Sequence, residues 1–218
     1  MSDERQPRYV DVRVHGRYLV REPLTPSERP DVLVGFHGYG ETAGRHLDEL
    51  ERLPGLEAWR LVAIEALHPF YKRTGEVVAA WMTRQDREMA IEENVAYTRA
   101  VIDRVVSEGD PGRLAVIGFS QGTAMAYRSA ARCGRSIDAV VALGGDVPPD
   151  LAAVDPLPFH RVLIARGASE TLYTPPALAA DVETLRGREI EPDVLEFDGG
   201  HEWTDAFREK ASAFLLSS

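Results

Sequence analysis

The sequence has a single cysteine and no hydrophobic segment long enough to cross a lipid bilayer. Cys133 therefore has no partner for an internal disulfide bond or for a metal site built from a cysteine pair. Because a membrane-spanning helix needs about 20 consecutive apolar residues, we expect no stable membrane insertion. Residues 1–10 are charged and lack the apolar centre of a signal peptide, so the expected compartment is the cytoplasm.

Positive charge is also scarce. The 218 residues include 25 lysines and arginines against 35 aspartates and glutamates, which gives a net charge of −10. Such a surface repels phosphate groups, so we expect no nucleic-acid partner. Apolar residues make up 44% and charged residues 28%, as is typical of globular proteins. This composition excludes a disordered or fibrous chain, and the length fits a single domain over residues 1–218.

Short apolar runs alternate with helical patterns along the chain. This alternation predicts an α/β fold, in which helices cover both faces of a mainly parallel sheet. The alternating segment 9–14, followed by residues 17–20, predicts an antiparallel hairpin at the N-terminus. The other predicted strands are residues 31–36, 60–64, 113–118, 139–143, 161–165 and 193–197, and the predicted helices are residues 86–106, 121–133, 176–185 and 203–216.

One motif ends a predicted strand and begins a predicted helix. Residues Gly118-Phe119-Ser120-Gln121-Gly122 fit the pattern G-x-S-x-G. A serine on so tight a turn needs glycine neighbours, because a Cβ atom there would clash. The turn exposes the serine hydroxyl, and the following helix offers backbone N–H groups to a developing anion. Ser120 is therefore the candidate nucleophile.

A serine hydroxyl is a poor nucleophile and needs a base, which in turn needs an orienting acid. The chain order expected with this motif is serine, then acid, then histidine. His201 follows the predicted strand 193–197 and is the candidate base. Glu170 is the only carboxylate in the loop after the strand 161–165 and is the candidate acid. Asp146, after the preceding strand, is the alternative acid.

Two backbone N–H groups should stabilise the oxyanion of such a reaction. We expect one from Gln121 and the other from Tyr39, in the turn His37-Gly38-Tyr39-Gly40 that follows the first parallel strand. His37 has no neighbouring cluster of metal ligands, and we expect it to brace this turn by hydrogen bonds. The sequence around His37 therefore predicts no metal site.

These motifs together resemble the phospholipase/carboxylesterase group of α/β hydrolases, which includes acyl-protein thioesterases and small bacterial carboxylesterases. The similarity lies in Phe36-His37-Gly38-Tyr39-Gly40, in the motif around Ser120 and in Gly200-His201-Glu202. Trp81, followed by a long helix with Ile91-Glu92-Glu93-Asn94, is similar in placement. The resemblance implies an α/β-hydrolase fold without a cofactor, and a serine, histidine and aspartate that cleave esters or thioesters.

Two positions depart from the pattern of that group. Glu170 stands where the family has aspartate, after a matching glycine, whereas Ser120 and His201 match the nucleophile and base. Tyr39 stands where the family usually has leucine, which predicts a bulky aromatic ring near the acyl site.

The sequence thus predicts a serine carboxylesterase that acts on a small-molecule ester through Ser120, His201 and Glu170. No long insertion separates the predicted strands 139–143 and 161–165, so we expect no large lid and favour small acyl or aryl esters. Four residues near the predicted site are candidates for the substrate pocket, namely Trp81, Leu172, Tyr173 and Trp203.

Three other functions are compatible with the same motifs. The first is an acyl-thioester or lysophospholipid hydrolase of the same fold. The second is an acyltransferase that passes the acyl group to an alcohol instead of water. The third is a non-catalytic binding protein on a hydrolase scaffold, since a fold does not determine a function.

Overall fold

The computed structural model describes residues 6–217, which form strands and helices in alternation. The strands in this part of the chain are β1 (Tyr18–Arg21), β2 (Val32–Phe36), β3 (Arg60–Ile64), β4 (His68–Tyr71), β5 (Val77–Ala80), β6 (Leu114–Phe119), β7 (Ala139–Leu143), β8 (Val162–Gly167) and β9 (Asp193–Phe197). The α-helices are α1 (Ala43–Glu51), α2 (Arg87–Ser107), α3 (Gln121–Arg132), α4 (Pro175–Arg186) and α5 (Asp205–Leu216). A short 3-10 helix covers Pro149–Ala153.

Seven of these strands form one sheet, in the order β1-β3-β2-β6-β7-β8-β9. Neighbouring strands from β3 to β9 run parallel, and β1 pairs antiparallel with β3 at the edge. Strands β4 and β5 form a separate antiparallel hairpin. An isolated bridge between Glu41 and Ala79 joins this hairpin to the turn after β2.

The apolar side chains of the central strands point alternately to two cores. Val34 of β2 packs in the core beneath α2, α3 and α4, whereas its neighbour Leu33 packs in the core beneath α1 and α5. Every residue of β2, β6, β7 and β8 is buried. A strand that is covered on both faces consists of a nearly continuous apolar run, which explains why these strands could be predicted from the sequence.

The predicted α/β fold with a mainly parallel sheet is confirmed. All six predicted parallel strands and all four predicted helices are present, with ends that shift by at most two residues. Helix α1 and the hairpin β4–β5 were not predicted. Helix α1 carries few apolar residues, and it begins where the Thr42 hydroxyl accepts a hydrogen bond from the Arg45 N–H at 3.2 Å.

The antiparallel edge at the N-terminus is also confirmed, but its predicted partner is wrong. Residues 9–14 form no strand, and β1 pairs instead with β3. A two-residue hairpin turn needs positive φ angles, and neither His15 nor Gly16 has one. Val10, Val12 and Val14 stay exposed because no partner strand or helix covers them.

No helix among the residues that the structure describes combines the length and the apolar character needed to cross a membrane.

Helix α3 begins in close contact with the end of strand β2. A Cβ atom built on Gly122 would lie 2.0 Å from the Phe36 carbonyl oxygen and 2.6 Å from that of His37. Both obstacles are backbone atoms, so a side chain at this position would force the helix away from the sheet.

The first prediction is that Gly122→Ala lowers the free energy of unfolding by about 1–3 kcal/mol or more, because overpacking displaces backbone. Urea-induced unfolding, followed by circular dichroism, measures the change. Gly109→Ala is the matched control, since nothing lies within 4 Å of a Cβ atom at Gly109. Equal losses of stability in the two variants would contradict the close contact.

A histidine is buried between helix α1 and the sheet. The His46 side chain is 1% exposed, and neither ring nitrogen has a hydrogen-bond partner in the described residues. Its ring makes an edge contact with Trp203, with centroids 5.5 Å apart. Burial, with a smaller contribution from the nearby His37, lowers the pKa of His46 to about 3 from its ordinary value of 6.5.

The second prediction follows from this pKa. Between pH 6.5 and 3 the unfolded chain binds a proton at His46 that the folded chain does not, so stability falls as the pH drops through this range. His46→Leu should reduce the slope of unfolding free energy against pH by up to about 1.4 kcal/mol per pH unit. Denaturant unfolding at a series of pH values measures it. His160→Gln, at an exposed position, should leave the slope unchanged. An unchanged slope in His46→Leu would contradict the assignment.

Candidate active site

Ser120 lies on a strained turn between strand β6 and helix α3. Its backbone has φ 53° and ψ −121°, a conformation that L-residues rarely adopt. The Ser120 N–H donates to the Leu143 carbonyl oxygen at 2.8 Å, and the Thr123 N–H donates to the Ser120 carbonyl oxygen at 3.0 Å. A Cβ atom on Gly118 would lie 2.4 Å from the Gly122 carbonyl oxygen, so the glycines of the motif permit this turn.

His201 and Glu170 form a close pair at the ends of β9 and β8. The His201 Nδ1 atom lies 2.5 Å from the Glu170 Oε1 atom. The Glu170 side chain is 1% exposed and the His201 side chain is 25% exposed, so the carboxylate holds the ring from the buried side. This contact favours the tautomer with the proton on Nδ1 and leaves Nε2 free to accept one.

Ser120 and His201 line the same cleft. No hydrogen bond joins these two side chains in the structure, as is common when no substrate is bound. Asp146, the alternative acid, also lines this cleft but forms no hydrogen bond to His201. The carboxylate that contacts the candidate base is thus Glu170.

A buried arginine holds the loop that carries Glu170. The Arg166 side chain is 1% exposed, and its guanidinium donates to the Tyr173 carbonyl oxygen at 2.9 Å, the Glu170 carbonyl oxygen at 3.1 Å and the Glu196 carboxylate at 2.5 Å. Glu170 Oε1 in turn accepts the Tyr173 N–H at 3.2 Å. This role of Arg166 was not predicted from the sequence. Its only signal is a lone charge at the end of the apolar strand β8.

The predicted oxyanion donors are the backbone N–H groups of Tyr39, in the turn after β2, and of Gln121, at the start of α3. Within the described chain, neither the Tyr39 N–H nor the Gln121 N–H donates to a protein acceptor. His37 braces this turn: its Nε2 accepts the Ala66 N–H at 3.0 Å, and its Nδ1 donates to the Gly38 carbonyl oxygen at 2.7 Å. Burial lowers the pKa of His37, which keeps the ring neutral as these two bonds require.

The Gln121 side chain ties the site to the segment after β5. Its Oε1 accepts the Trp81 N–H at 2.9 Å, and its Nε2 donates to the Met82 carbonyl oxygen at 3.0 Å. The Trp81 indole N–H donates to the His37 carbonyl oxygen at 2.8 Å. The predicted pocket role of Trp81 is therefore wrong. Trp81 is fully buried and stabilises the turn from behind, where it packs against Phe36.

The cleft at Ser120 has a volume of about 280 Å³. Leu172 and Tyr173, two of the predicted pocket residues, line it. The Tyr173 hydroxyl donates to Asp181 at 2.8 Å, which anchors one wall of the cleft. The bulky ring of Tyr39 does not enter this cleft, contrary to expectation, because it is 61% exposed and stacks on Phe70 with centroids 5.3 Å apart.

A second, more open cleft lies on the other side of His201. Its volume is about 580 Å³, and it is lined by His201, Glu202 and Trp203 among others, but not by Ser120. The Trp203 ring packs edge-on against Phe207, with centroids 5.1 Å apart. Trp203 is therefore not part of the cleft that contains Ser120, because α5 holds it on the opposite side of the histidine.

No group of three or more histidine, cysteine, aspartate or glutamate side chains in residues 6–217 is arranged to hold a metal ion. The arrangement of side chains at this site is suited to nucleophilic attack and proton transfer.

Burial raises the pKa of the Asp146 carboxyl, because a charged carboxylate is less well solvated in the cleft.

Known proteins share both sequence and fold with this chain. NocK from Nocardia uniformis subsp. tsuyamanensis, assigned as an esterase, is 32% identical over 152 residues. That alignment covers 69% of this chain and 42% of NocK, so the chain spans less than half the length of this relative.

Two solved structures have the same fold. Esterase PE8 is 20% identical with a TM-score of 0.74, over 93% of this chain and 98% of PE8. Acyl-protein thioesterase 2 of Zea mays is 18% identical with a TM-score of 0.70, over 92% of this chain and 98% of that protein.

The family model described as Phospholipase/Carboxylesterase matches residues 25–156, which is more than half of the chain. The match includes the turn at Tyr39 and the motif around Ser120. Together with the α/β-hydrolase fold, it shows that the chain belongs to the phospholipase/carboxylesterase family.

Proposed function

We propose that the protein is a serine carboxylesterase that hydrolyses small-molecule carboxylic esters through an acyl-enzyme. The observation that carries this proposal is the pair of His201 and Glu170, 2.5 Å apart, which borders the same cleft as Ser120 on its strained turn. Membership of the phospholipase/carboxylesterase family supports the same chemistry.

In the first step the Ser120 hydroxyl oxygen attacks the ester carbonyl carbon while His201 Nε2 takes the hydroxyl proton. Glu170 keeps the ring in the tautomer that can accept this proton, and it stabilises the imidazolium that forms. Because the carboxylate is buried and already bonded, the pair needs little reorganisation during the reaction.

The negative charge that develops on the carbonyl oxygen needs donors that are already in place. The backbone N–H groups of Tyr39 and Gln121 are the proposed donors, since neither is used by another acceptor in the described residues. The neutral His37 and the Gln121 side chain keep these two segments together. Removal of one such donor in other enzymes slows catalysis by about 100-fold to 1,000-fold.

The tetrahedral intermediate collapses when His201 gives its proton to the leaving oxygen, and the alcohol departs. Water then attacks the acyl-enzyme, with His201 again as the base, and the second collapse returns Ser120 and releases the carboxylic acid.

His201 protonates the leaving oxygen and also lines the cleft at Trp203, so we assign the alcohol part of the ester to that cleft. The acyl group then occupies the cleft at Ser120, whose 280 Å³ favours short chains.

The third prediction concerns the nucleophile and the base. Ser120→Ala and His201→Ala should each lower kcat/KM by several orders of magnitude, because the two residues act as a unit. The measurement is hydrolysis of p-nitrophenyl esters from acetyl to palmitoyl. Ser169→Ala, at a serine whose hydroxyl donates only to the Gly199 carbonyl oxygen, is the matched control and should keep most of the activity.

The length of the acyl chain distinguishes the candidate substrate classes in the same experiment. A short-chain optimum that disappears in Ser120→Ala supports the compact acyl cleft. A long-chain optimum would favour the acyl-thioester or lysophospholipid alternative, and added alcohols that appear in the products would favour acyl transfer. Activity of Ser120→Ala close to that of the unaltered protein would overturn the proposal. Folded protein without activity at any length would support a binding function instead.

The fourth prediction separates the two candidate acids. Glu170→Gln should lower kcat by roughly 10,000-fold, because an amide cannot stabilise the imidazolium and favours the wrong tautomer. Asp146→Asn should change kcat for a neutral ester only a few-fold, since Asp146 makes no hydrogen bond to His201. Steady-state kinetics of the two variants, with folding checked by circular dichroism, gives the answer. The reverse order of effects would move the acid to Asp146.

A further inference from the structure

One charged side chain in the cleft at Ser120 has no part in the proposed hydrolysis. Arg87 lines this cleft together with Ser120 and His201. Its guanidinium contacts the Met82 sulfur, with Nη1 3.2 Å from Sδ, and forms no ion pair with a carboxylate of residues 6–217. A thioether is a weak acceptor and leaves the positive charge of the guanidinium uncompensated.

Neighbouring arginines differ from Arg87 in this respect. Arg128 is fully buried and donates to both carboxylate oxygens of Asp150. Arg132 likewise pairs with Glu92, which lies on helix α2 beyond Arg87. These two carboxylates are therefore already used by other arginines, whereas Arg87 forms no ion pair within residues 6–217.

The position of Arg87 in helix α2 is also unfavourable for a cation. Arg87 is the first residue of the helix, where the helix dipole favours negative charge. The preceding Asp86 has a left-handed backbone, with φ 49° and ψ 37°, and its side chain makes no capping hydrogen bond. The Asp86 carboxylate accepts instead from Tyr9 and Gln85. Glu88, in the same first turn, already places a negative charge at the helix end, so the preference for an anion at this place comes from the Arg87 guanidinium.

The remaining lining of the cleft supplies little competing charge. It consists mainly of apolar side chains and backbone, such as Ala124, Val147 and Pro148. Asp146 is the exception, and it forms neither a hydrogen bond nor an ion pair with Arg87. Burial raises the pKa of the Asp146 carboxyl from its ordinary value.

We propose that Arg87 binds a negatively charged group on the acyl part of the ester, so that the preferred substrates are monoesters of short dicarboxylic acids. This inference rests on the proposed function, because it assigns the acyl group to the cleft at Ser120. A guanidinium matches a carboxylate with two parallel hydrogen bonds, which gives orientation as well as attraction. The cleft volume of about 280 Å³ sets the small size of the diacid.

The fifth prediction compares three p-nitrophenyl esters of similar shape whose acyl chains end in different charges. The glutarate monoester is anionic, the glutaramate is neutral and the ω-trimethylammonio-pentanoate is cationic. The quantity measured is the ratio of kcat/KM for the anionic ester to that for the neutral ester. Rates of the Ser120→Ala protein are subtracted, because the glutarate monoester also hydrolyses by itself.

The unaltered protein should prefer the anionic ester, and Arg87→Gln should lower the ratio by about 10-fold to 100-fold, as expected for a lost hydrogen bond between charged groups. Arg87→Lys should restore part of the ratio, since it restores the charge without the planar fork. Asp146→Asn should raise the ratio a few-fold. Arg84→Gln is the matched control with the same change in charge, and it should leave the ratio unchanged because Arg84 does not line the cleft.

The possible results distinguish this inference from the proposed function. If the esters are hydrolysed in a Ser120-dependent manner but Arg87→Gln leaves the ratio of kcat/KM values unchanged, the proposed role of Arg87 is wrong and the proposed esterase function is retained. A preference for the cationic ester would assign recognition to Asp146 instead.

A binding measurement covers the case in which no ester is hydrolysed. Calorimetric titration with glutarate should show binding to the unaltered protein and to Arg84→Gln, and binding at least 10-fold weaker to Arg87→Gln. Equal binding of glutarate to all three proteins, or no binding to any, would overturn the role of Arg87 without recourse to activity.

Discussion

The close contact between the start of helix α3 and the end of strand β2 is the constraint on which the site depends. Only a glycine at position 122 lets the helix approach the Phe36 carbonyl oxygen so closely. That approach leaves a single residue, Ser120, to turn the chain from β6 into α3, and the turn is possible only at a positive φ. The same contact brings the Gln121 N–H and the Tyr39 turn to one place. The candidate nucleophile and the proposed oxyanion donors thus depend on one packing arrangement.

The candidate acid and base are held by a second, buried network, in the loops that follow β8 and β9. Arg166 binds two carbonyl oxygens of the loop that carries Glu170, and Glu170 contacts His201. Such a buried guanidinium, which donates from each of its three nitrogens, helps to hold the loop in one conformation together with the buried Tyr173. Because strands β8 and β9 are parallel neighbours in the sheet, the loops that follow them lie side by side. The sheet thereby brings Glu170 and His201 close together although they are 31 residues apart in the sequence.

Charge in the cleft follows from how ion pairs are distributed around it. Buried Arg128 is neutralised by Asp150, whereas Arg87 lines the cleft and, within residues 6–217, donates only to the Met82 thioether. A charge that is paired contributes to packing, and a charge that is unpaired in a cleft is available to a ligand. The chain as a whole has a net charge of −10, so the positive charge of Arg87 is opposite in sign to the charge of the protein.

The sequence by itself determined the alternation of strands and helices, the motif at Ser120 and the order of Ser120, Glu170 and His201. These features are local: apolar runs report burial on both faces, and glycines report a tight turn. Tertiary structure decided which distant element covers each face. It paired β1 with β3 instead of residues 9–14, buried Trp81 against the turn that holds Tyr39, and turned Tyr39 outward onto Phe70. Periodicity along the chain cannot reveal these outcomes, because each depends on a partner that is remote in sequence and close only in the folded protein.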